Sequence, residues 1–243
     1  NNRAKQLLTL PRLLFSWLLI LAALLTLNGI GKIWLADFHF TTGKNYYQSG
    51  KALEGIQLIE TAIGEAPQEA LFYDELASIY ADLALQYANQ DATASALLSK
   101  NAIALSDQVL ALNNRHLNFY KSRTSIFLKL GQLDPQYYQR AKATLQQAIY
   151  LAPTDAKLYY NLALIETVLG ENEQALQDLQ YSIQIKANYA QARNELANLY
   201  IQRQQLEKAR EQYLYLLEKI NPQDSLVQEK LRLLEASLSA QKN

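Results

Sequence analysis

Residues 156–189 read AKLYYNLALIETVLGENEQALQDLQYSIQIKANY, thirty-four residues after which the pattern starts again. With Ala156 as position 1, Tyr159 falls at 4, Leu162 at 7, Ala163 at 8, Gly170 at 15, Ala175 at 20, Leu179 at 24 and Ile185 at 30. The next unit opens at Ala190, with Leu196 at 7, Ala197 at 8, Tyr200 at 11, Ala209 at 20 and Tyr213 at 24. Its proline, Pro222, arrives one residue after position 32. Upstream, Ala141, Leu145, Ala148, Leu151 and Pro153 occupy 20, 24, 27, 30 and 32 and run directly into Ala156. Further upstream, Gly43, Tyr46, Gly50, Gly55, Ile59, Ala62 and Pro67 take 8, 11, 15, 20, 24, 27 and 32. Tyr73, Leu76, Ala77 and Tyr80 then open another unit at 4, 7, 8 and 11.

A repeat of this length, apolar at helical spacing, is two helices and two turns. Small residues at 8, 20 and 27 let helices approach closely, and large ones at 4, 7, 11 and 24 fill the space between them. Proline at 32 ends the second helix, because it lacks the N–H and disfavours helix in the residue before it. The pattern resembles the tetratricopeptide repeat over residues 36–223. That resemblance implies an all-α, right-handed solenoid of five hairpins at 36–69, 70–115, 116–155, 156–189 and 190–223. The segment 224–243, with Leu226, Leu231, Leu233, Leu234 and Leu238 among charges, reads as an amphipathic capping helix.

The departures from the pattern are specific. Position 11 of the unit from Ala156 is Glu166, which is expected to reach solvent or a partner; position 27 is Ser182 and position 32 is Ala187. Thirteen extra residues separate Tyr73 from Ala102, including Asn89-Gln90-Asp91, a turn with Asp91 or Thr93 as N-cap, so this hairpin should be longer than its neighbours. Gln132-Leu133-Asp134-Pro135 lies in a shorter insertion, and Arg123 stands where the pattern asks for leucine.

Ahead of the repeats, LLFSWLLILAALLTLNGIG (13–31) runs without a charge between Arg12 and Lys32. As a helix it spans roughly 28 Å, close to the hydrocarbon thickness of a bilayer. Trp17 and Trp34 lie near its two ends, where indoles favour the interface. Residues 13–34 therefore read as a transmembrane helix and 1–12 as a basic juxtamembrane segment. Arg3, Lys5 and Arg12 give the N-terminal flank a narrow basic excess, which puts the repeat domain outside the cytoplasm. Gly29 and Gly31 mark the one place where a helix running from 13 to 47 would break.

Composition excludes several chemistries. Without cysteine there is no disulfide framework, zinc finger or thiol nucleophile. With 23 basic and 23 acidic residues there is no basic excess for nucleic acid. The two histidines, His39 and His116, stand far apart, one as hairpin packing and one in a solvated turn. No phosphate loop, nucleophile elbow or His-Glu-x-x-His motif occurs, so the expectation is no enzyme, no cofactor and no metal.

In the family this pattern resembles, the first helices line a concave groove, with positions 2, 5, 6, 9 and 12 exposed to it. The resemblance thus implies a partner groove containing Asn118, Lys121, Ser125 and Leu128, then Lys157, Tyr160, Asn161, Leu164 and Thr167. The last unit adds Gln191, Asn194, Glu195, Asn198 and Ile201. The asparagines are candidates for hydrogen bonds to an extended peptide, and the lysines for a carboxylate; the expected partner is a protein or peptide. The whole arrangement, an apolar span joined to a repeat helix through Lys32-Ile33-Trp34-Leu35-Ala36-Asp37, also resembles the C-terminal tail of bacterial O-antigen ligase or polymerase-like membrane proteins. Three functions follow: a membrane-tethered interaction scaffold, the non-catalytic tail of such a glycan ligase, or a soluble repeat protein whose first helix buries against a partner.

Overall fold

The computed structural model describes residues 2–242, with side chains from 15 to 240. The side chains of the basic flank (Arg3, Lys5, Arg12) and of Leu13 and Leu14 lie outside the described residues. Eleven α-helices and no strand occur among the described residues. They are α1 Asn2–Gln48, α2 Ala52–Glu65, α3 Ala70–Tyr87, α4 Ala92–Leu112, α5 Leu117–Leu130, α6 Gln136–Leu151, α7 Ala156–Val168, α8 Asn172–Ile185, α9 Ala190–Gln202, α10 Leu206–Tyr215 and α11 Ser225–Lys242. The chain forms two compact units: one of residues up to Tyr80 with Lys100–Asn114, the other of Ala81–Ser99 with everything from Arg115 onward.

In the first unit α1 is a single unbroken helix, so the expected interruption at Gly29 or Gly31 does not occur. Glycine costs about 1 kcal/mol in a helix interior but keeps its N–H, so the hydrogen-bond ladder runs through. What changes along α1 is its environment. From Phe15 to Leu35 the chain covers no side of it; at Ala36, Phe40 and Gly43, spaced i, i+4, i+7, one face becomes buried. That face meets α2 at a close crossing of Gly43 and Gly55. A Cβ on either would come within 2.7 Å of the other's carbonyl oxygen, so no larger residue fits without moving the helices apart. Ile59 and Ala62 of α2 are fully buried there, and Phe40 stacks on Phe72 of α3 at 4.5 Å between centroids. The longer hairpin has its physical counterpart in α3 and α4, of 18 and 21 residues against 13 and 14 for α7 and α8. Asp91 is the cap between them: its Oδ1 accepts from the N–H groups of Thr93 and Ala94, each at 2.9 Å.

The second unit repeats small-residue crossings through its core. Ala141, Ala148, Ala163, Ala175, Ala197 and Ala209 are fully buried, with Leu179, Leu196 and Tyr213 filling between them. Ser182, the serine at position 27, keeps the crossing tight and donates its Oγ–H to the Ala156 carbonyl at 2.8 Å. The turns use one device. At Gly170 (φ +76°), Gly170 N–H bonds Thr167 O and Glu171 N–H bonds Glu166 O, the paired bonds of a Schellman ending. The same pair recurs at residue 204, also position 15, with Gln204 N–H bonding Ile201 O and Gln205 N–H bonding Tyr200 O, but residue 204 is glutamine at φ +58°.

A second recurrence ties hairpin to hairpin. The residue at position 4 donates to the carbonyl six residues upstream, at position 32 of the preceding repeat or, where Pro222 comes one residue late, at 33. Tyr159 Oη bonds Pro153 O at 3.0 Å, Arg193 Nε bonds Ala187 O at 2.7 Å, and in the capping helix Gln228 Nε2 bonds Pro222 O at 2.8 Å. Tyr73 does the same to Pro67 in the first unit, at 3.2 Å. The late Pro222 also has a structural cause. After α10 the chain makes a π-helical turn, Leu216–Ile220, closed by Asn221 N–H to Leu216 O at 2.9 Å, and a π turn absorbs one extra residue. The helical-hairpin architecture expected from the period is the architecture observed.

Candidate functional site

Within the second unit, α5 and α7 lie side by side and leave an open cleft of about 350 Å³ between them. Its floor and walls are apolar: Leu128, Leu145, Leu164, Ile165 and Val168. Its polar rim comes from Lys121, Thr124, Ser125, Lys157 and Asn161. Six of the sequence-derived groove residues, Lys121, Ser125, Leu128, Lys157, Asn161 and Leu164, are thus brought to one cleft. Thr124, Leu145, Ile165 and Val168 were not expected there. Val168 falls at position 13 of its repeat, one step beyond the last groove position, and is 61% exposed although apolar.

The polar groups on the rim differ in their freedom. Lys121 Nζ donates to Asp155 Oδ2 at 3.0 Å, while the other oxygen of Asp155 caps α7 by accepting from Lys157 N–H. That ammonium is therefore committed to holding α5 against the start of α7. Lys157 is exposed, and its ammonium, the Asn161 amide and the Ser125 hydroxyl make no hydrogen bond among the described residues. Lys157 and Tyr160 also border a second, more open cleft that reaches α9 at Tyr189 and Gln191. Tyr160 packs on Tyr189, with centroids 5.2 Å apart. Burial, and then the charge of Glu195, push the Tyr160 hydroxyl above its ordinary value, so it stays a neutral donor.

Two of the remaining groove candidates, Asn194 and Asn198, are occupied. Asn194 Oδ1 accepts from Lys230 of α11 at 2.9 Å. Asn198 Nδ2 donates to Glu195 at 3.2 Å, and its Oδ1 accepts from Tyr213 Oη at 3.3 Å. Asn118 is exposed at the start of α5, outside both clefts.

On the far side of α7 lies a cluster of charges. Glu166 is 2% exposed, so it does not reach solvent; its partner is Lys142 of α6, 3.1 Å from Oε1, and Lys142 also bonds Glu171. Burial pulls Lys142 down, but the hydrogen bonds it donates to Glu171 and Glu166 outweigh that and hold the ammonium above its usual value. Asp178 of α8 joins the cluster. Burial first, then the Glu166 charge and a hydrogen bond with it, push Asp178 up to about 7. Glu166 Oε2 is buried without a partner when Asp178 is ionised, and a protonated Asp178 supplies the missing O–H. Arg123, the residue in place of leucine, lays its guanidinium 4.9 Å from the Phe127 ring centroid, with Arg140 4.5 Å from the same centroid. His39 pairs with Glu65 at 2.8 Å in the first hairpin, and His116 precedes α5 with its ring 4.7 Å from Phe119. Among the described residues no group of three or more His, Asp or Glu side chains forms a metal-binding set.

No protein-family model matches this sequence, and no curated protein matches it. Solved structures do match. A thermophilic tetratricopeptide-repeat protein of Thermus thermophilus, TTC0263, shares 22% identity over 83% of this chain and 99% of its own, with a TM-score of 0.50. MamA of Desulfovibrio magneticus shares 18% over 79% of this chain and 98% of its own, with a TM-score of 0.59. PilF of Pseudomonas aeruginosa shares 18% over 87% and 91%, with a TM-score of 0.57. At such identities the likeness speaks to the fold, and the fold is the tetratricopeptide-repeat solenoid, here led by one helix, from Phe15, long and apolar enough to cross a membrane.

Proposed function

We propose that the chain is a membrane-anchored interaction scaffold that holds an extended segment of a partner protein along α5 and α7. The observation that carries this reading is the apolar cleft with the unengaged Asn161 amide and Lys157 ammonium on its rim. An amide both donates and accepts, so it matches the N–H and C=O of an extended backbone. The cleft volume suits one large apolar side chain, and Lys157 suits a nearby carboxylate. A repeat protein of the same fold, YrrB, has an unusual peptide-binding site; it shares 14% identity and a TM-score of 0.55 with this chain. A photoreactive group in place of Tyr160 should crosslink one discrete partner in membranes. Asn161→Ala with Leu164→Lys should weaken capture about tenfold or more, as expected for a lost hydrogen bond and a blocked apolar pocket. Unchanged capture by a folded double variant would overturn the groove assignment.

Anchoring is supported by the length and exposure of α1, and resistance of the chain to alkaline-carbonate extraction tests it. The narrow basic excess before the span supports an extracytoplasmic repeat domain. Because the protein has no cysteine, a single cysteine at exposed Lys157 and a membrane-impermeant thiol reagent test that side. A second reading, the non-catalytic tail of an O-antigen ligase or polymerase-like protein, is favoured by the way span and first repeat share one helix. Further apolar spans encoded upstream would support it; a start codon adjoining Asn1 would exclude it.

A further inference from the structure

Around the apolar part of α1 there is no polar stripe. Trp17, Leu18, Leu19, Ile20 and Leu21 are successive residues that go once round the helix, and each is at least half exposed. A protein partner covers one stripe of a helix; exposure of large apolar groups on every side asks for an apolar medium on every side. The same surface continues past the end of the span onto the first hairpin. α2 runs back along α1, as the Gly43–Gly55 crossing and the 2.8 Å contact of His39 with Glu65 show. The α2–α3 turn is thereby returned to the level of Ile30–Asp37. There Ile30, Ile33 and Trp34 of α1 and Leu71 at the start of α3 line an open cleft of about 740 Å³, with Asp37 and Glu69 among its polar members. Leu71 is 47% exposed and Trp34 69%.

We infer that the α2–α3 turn is a second membrane contact: Leu71 enters the interfacial zone of the bilayer beside Trp34, and phospholipid fills the cleft between them. The inference rests on the membrane-spanning reading of α1 and goes beyond it, because a span alone leaves the first hairpin free to stand away from the surface. Trp34 lies roughly 28 Å along the axis from Phe15, the depth at which hydrocarbon gives way to headgroups. An apolar side chain held at that level by a neighbouring helix meets lipid rather than water. Asp37 and Glu69 disfavour anionic headgroups, so the matching surface is zwitterionic.

The test uses the full chain in phosphatidylcholine nanodiscs, with an environment-sensitive fluorophore on single cysteines. The sites are Trp17→Cys, Trp34→Cys, Leu71→Cys and, at the opposite end of α2, Lys51→Cys. The expected result is blue-shifted emission at Leu71→Cys, quenched by a shallow lipid-borne quencher to the same degree as Trp34→Cys, with Lys51→Cys unquenched. If Leu71→Cys is as water-exposed as Lys51→Cys while Trp17→Cys is quenched by deep quenchers, the turn contact is overturned and the span stands. If Trp17→Cys is not quenched either, the membrane reading fails and takes this inference with it.

Discussion

Gln204 holds the one positive φ outside glycine among the described residues, and it does so at a position where the preceding repeat has Gly170 and the first has Gly50. The left-handed region brings the Cβ of an L-residue too close to its carbonyl, at a cost of about 1–2 kcal/mol that glycine avoids. The two turn hydrogen bonds that Gln204 and Gln205 make to Ile201 and Tyr200 outweigh that strain. Gln204→Gly should therefore raise stability by about 0.5–1 kcal/mol, because the added unfolded-state freedom of glycine offsets part of the gain. Chemical denaturation of the two proteins checks this, and a destabilised variant would show that the Gln204 side chain holds something of its own. The sequence contains the signal, since 204 is position 15, but a period read from residue identity passes over a glutamine where backbone geometry does not.

Three helices share the charge cluster of Lys142, Glu166 and Asp178, with Glu171 at the start of α8 and the Tyr159 hydroxyl nearby. Asp178 is raised to about 7, so the folded unit holds a proton that the unfolded chain releases near the ordinary aspartate value. The sign follows. Between those two values the native state binds more protons than the unfolded state, so this contribution to stability falls as pH rises and is gone above about 7. The melting temperature should be higher at mildly acidic pH than at pH 8, and Asp178→Asn should flatten that dependence; an unchanged slope would show that Asp178 titrates normally. Glu171, held below its usual value first by its hydrogen bond to Lys142, works in the opposite sense. The sequence showed Glu166 as an anomaly but not its partners, which lie in neighbouring helices outside the 34-residue period. The π turn makes the contrasting case. A proline displaced by one residue announced an insertion, and Leu216–Ile220 absorbs it locally. Deleting exposed Glu218 should return the segment to α-helix and keep α11 in place, at a cost under about 1 kcal/mol. Deleting Gln180 from α8 would rotate Ser182 off its crossing and should cost several times more, measured by the same denaturation curves. Equal costs would show that the π turn is not a spare residue.

For the molecule as a whole, the period carried the fold because each repeat specifies its own hairpin. The candidate groove was legible only in part. Lys121, Asn194 and Asn198 stand at groove positions, yet their polar groups are committed to Asp155, to Lys230 and to Glu195 and Tyr213. Two of those partners, Asp155 and Lys230, lie 34 and 36 residues downstream, where only stacking brings them near. The apolar part of α1 poses the opposite situation, since every described side chain from Phe15 to Leu35 is exposed. The large side chains from Phe15 to Ile33 are 50–68% exposed, so charges placed there should leave the repeats untouched. Leu21→Arg with Leu24→Arg adds about 6–8 kcal/mol to the cost of membrane insertion, enough to release the chain from carbonate-washed membranes. The same double variant should keep its helical circular-dichroism signal and its melting temperature, because Ala36, Phe40 and Gly43 still close the first hairpin. If instead the repeats lose stability, α1 is a packing element of the fold and not an anchor. If extraction is unchanged and the repeats are intact, the chain is held at the membrane by something other than its first helix.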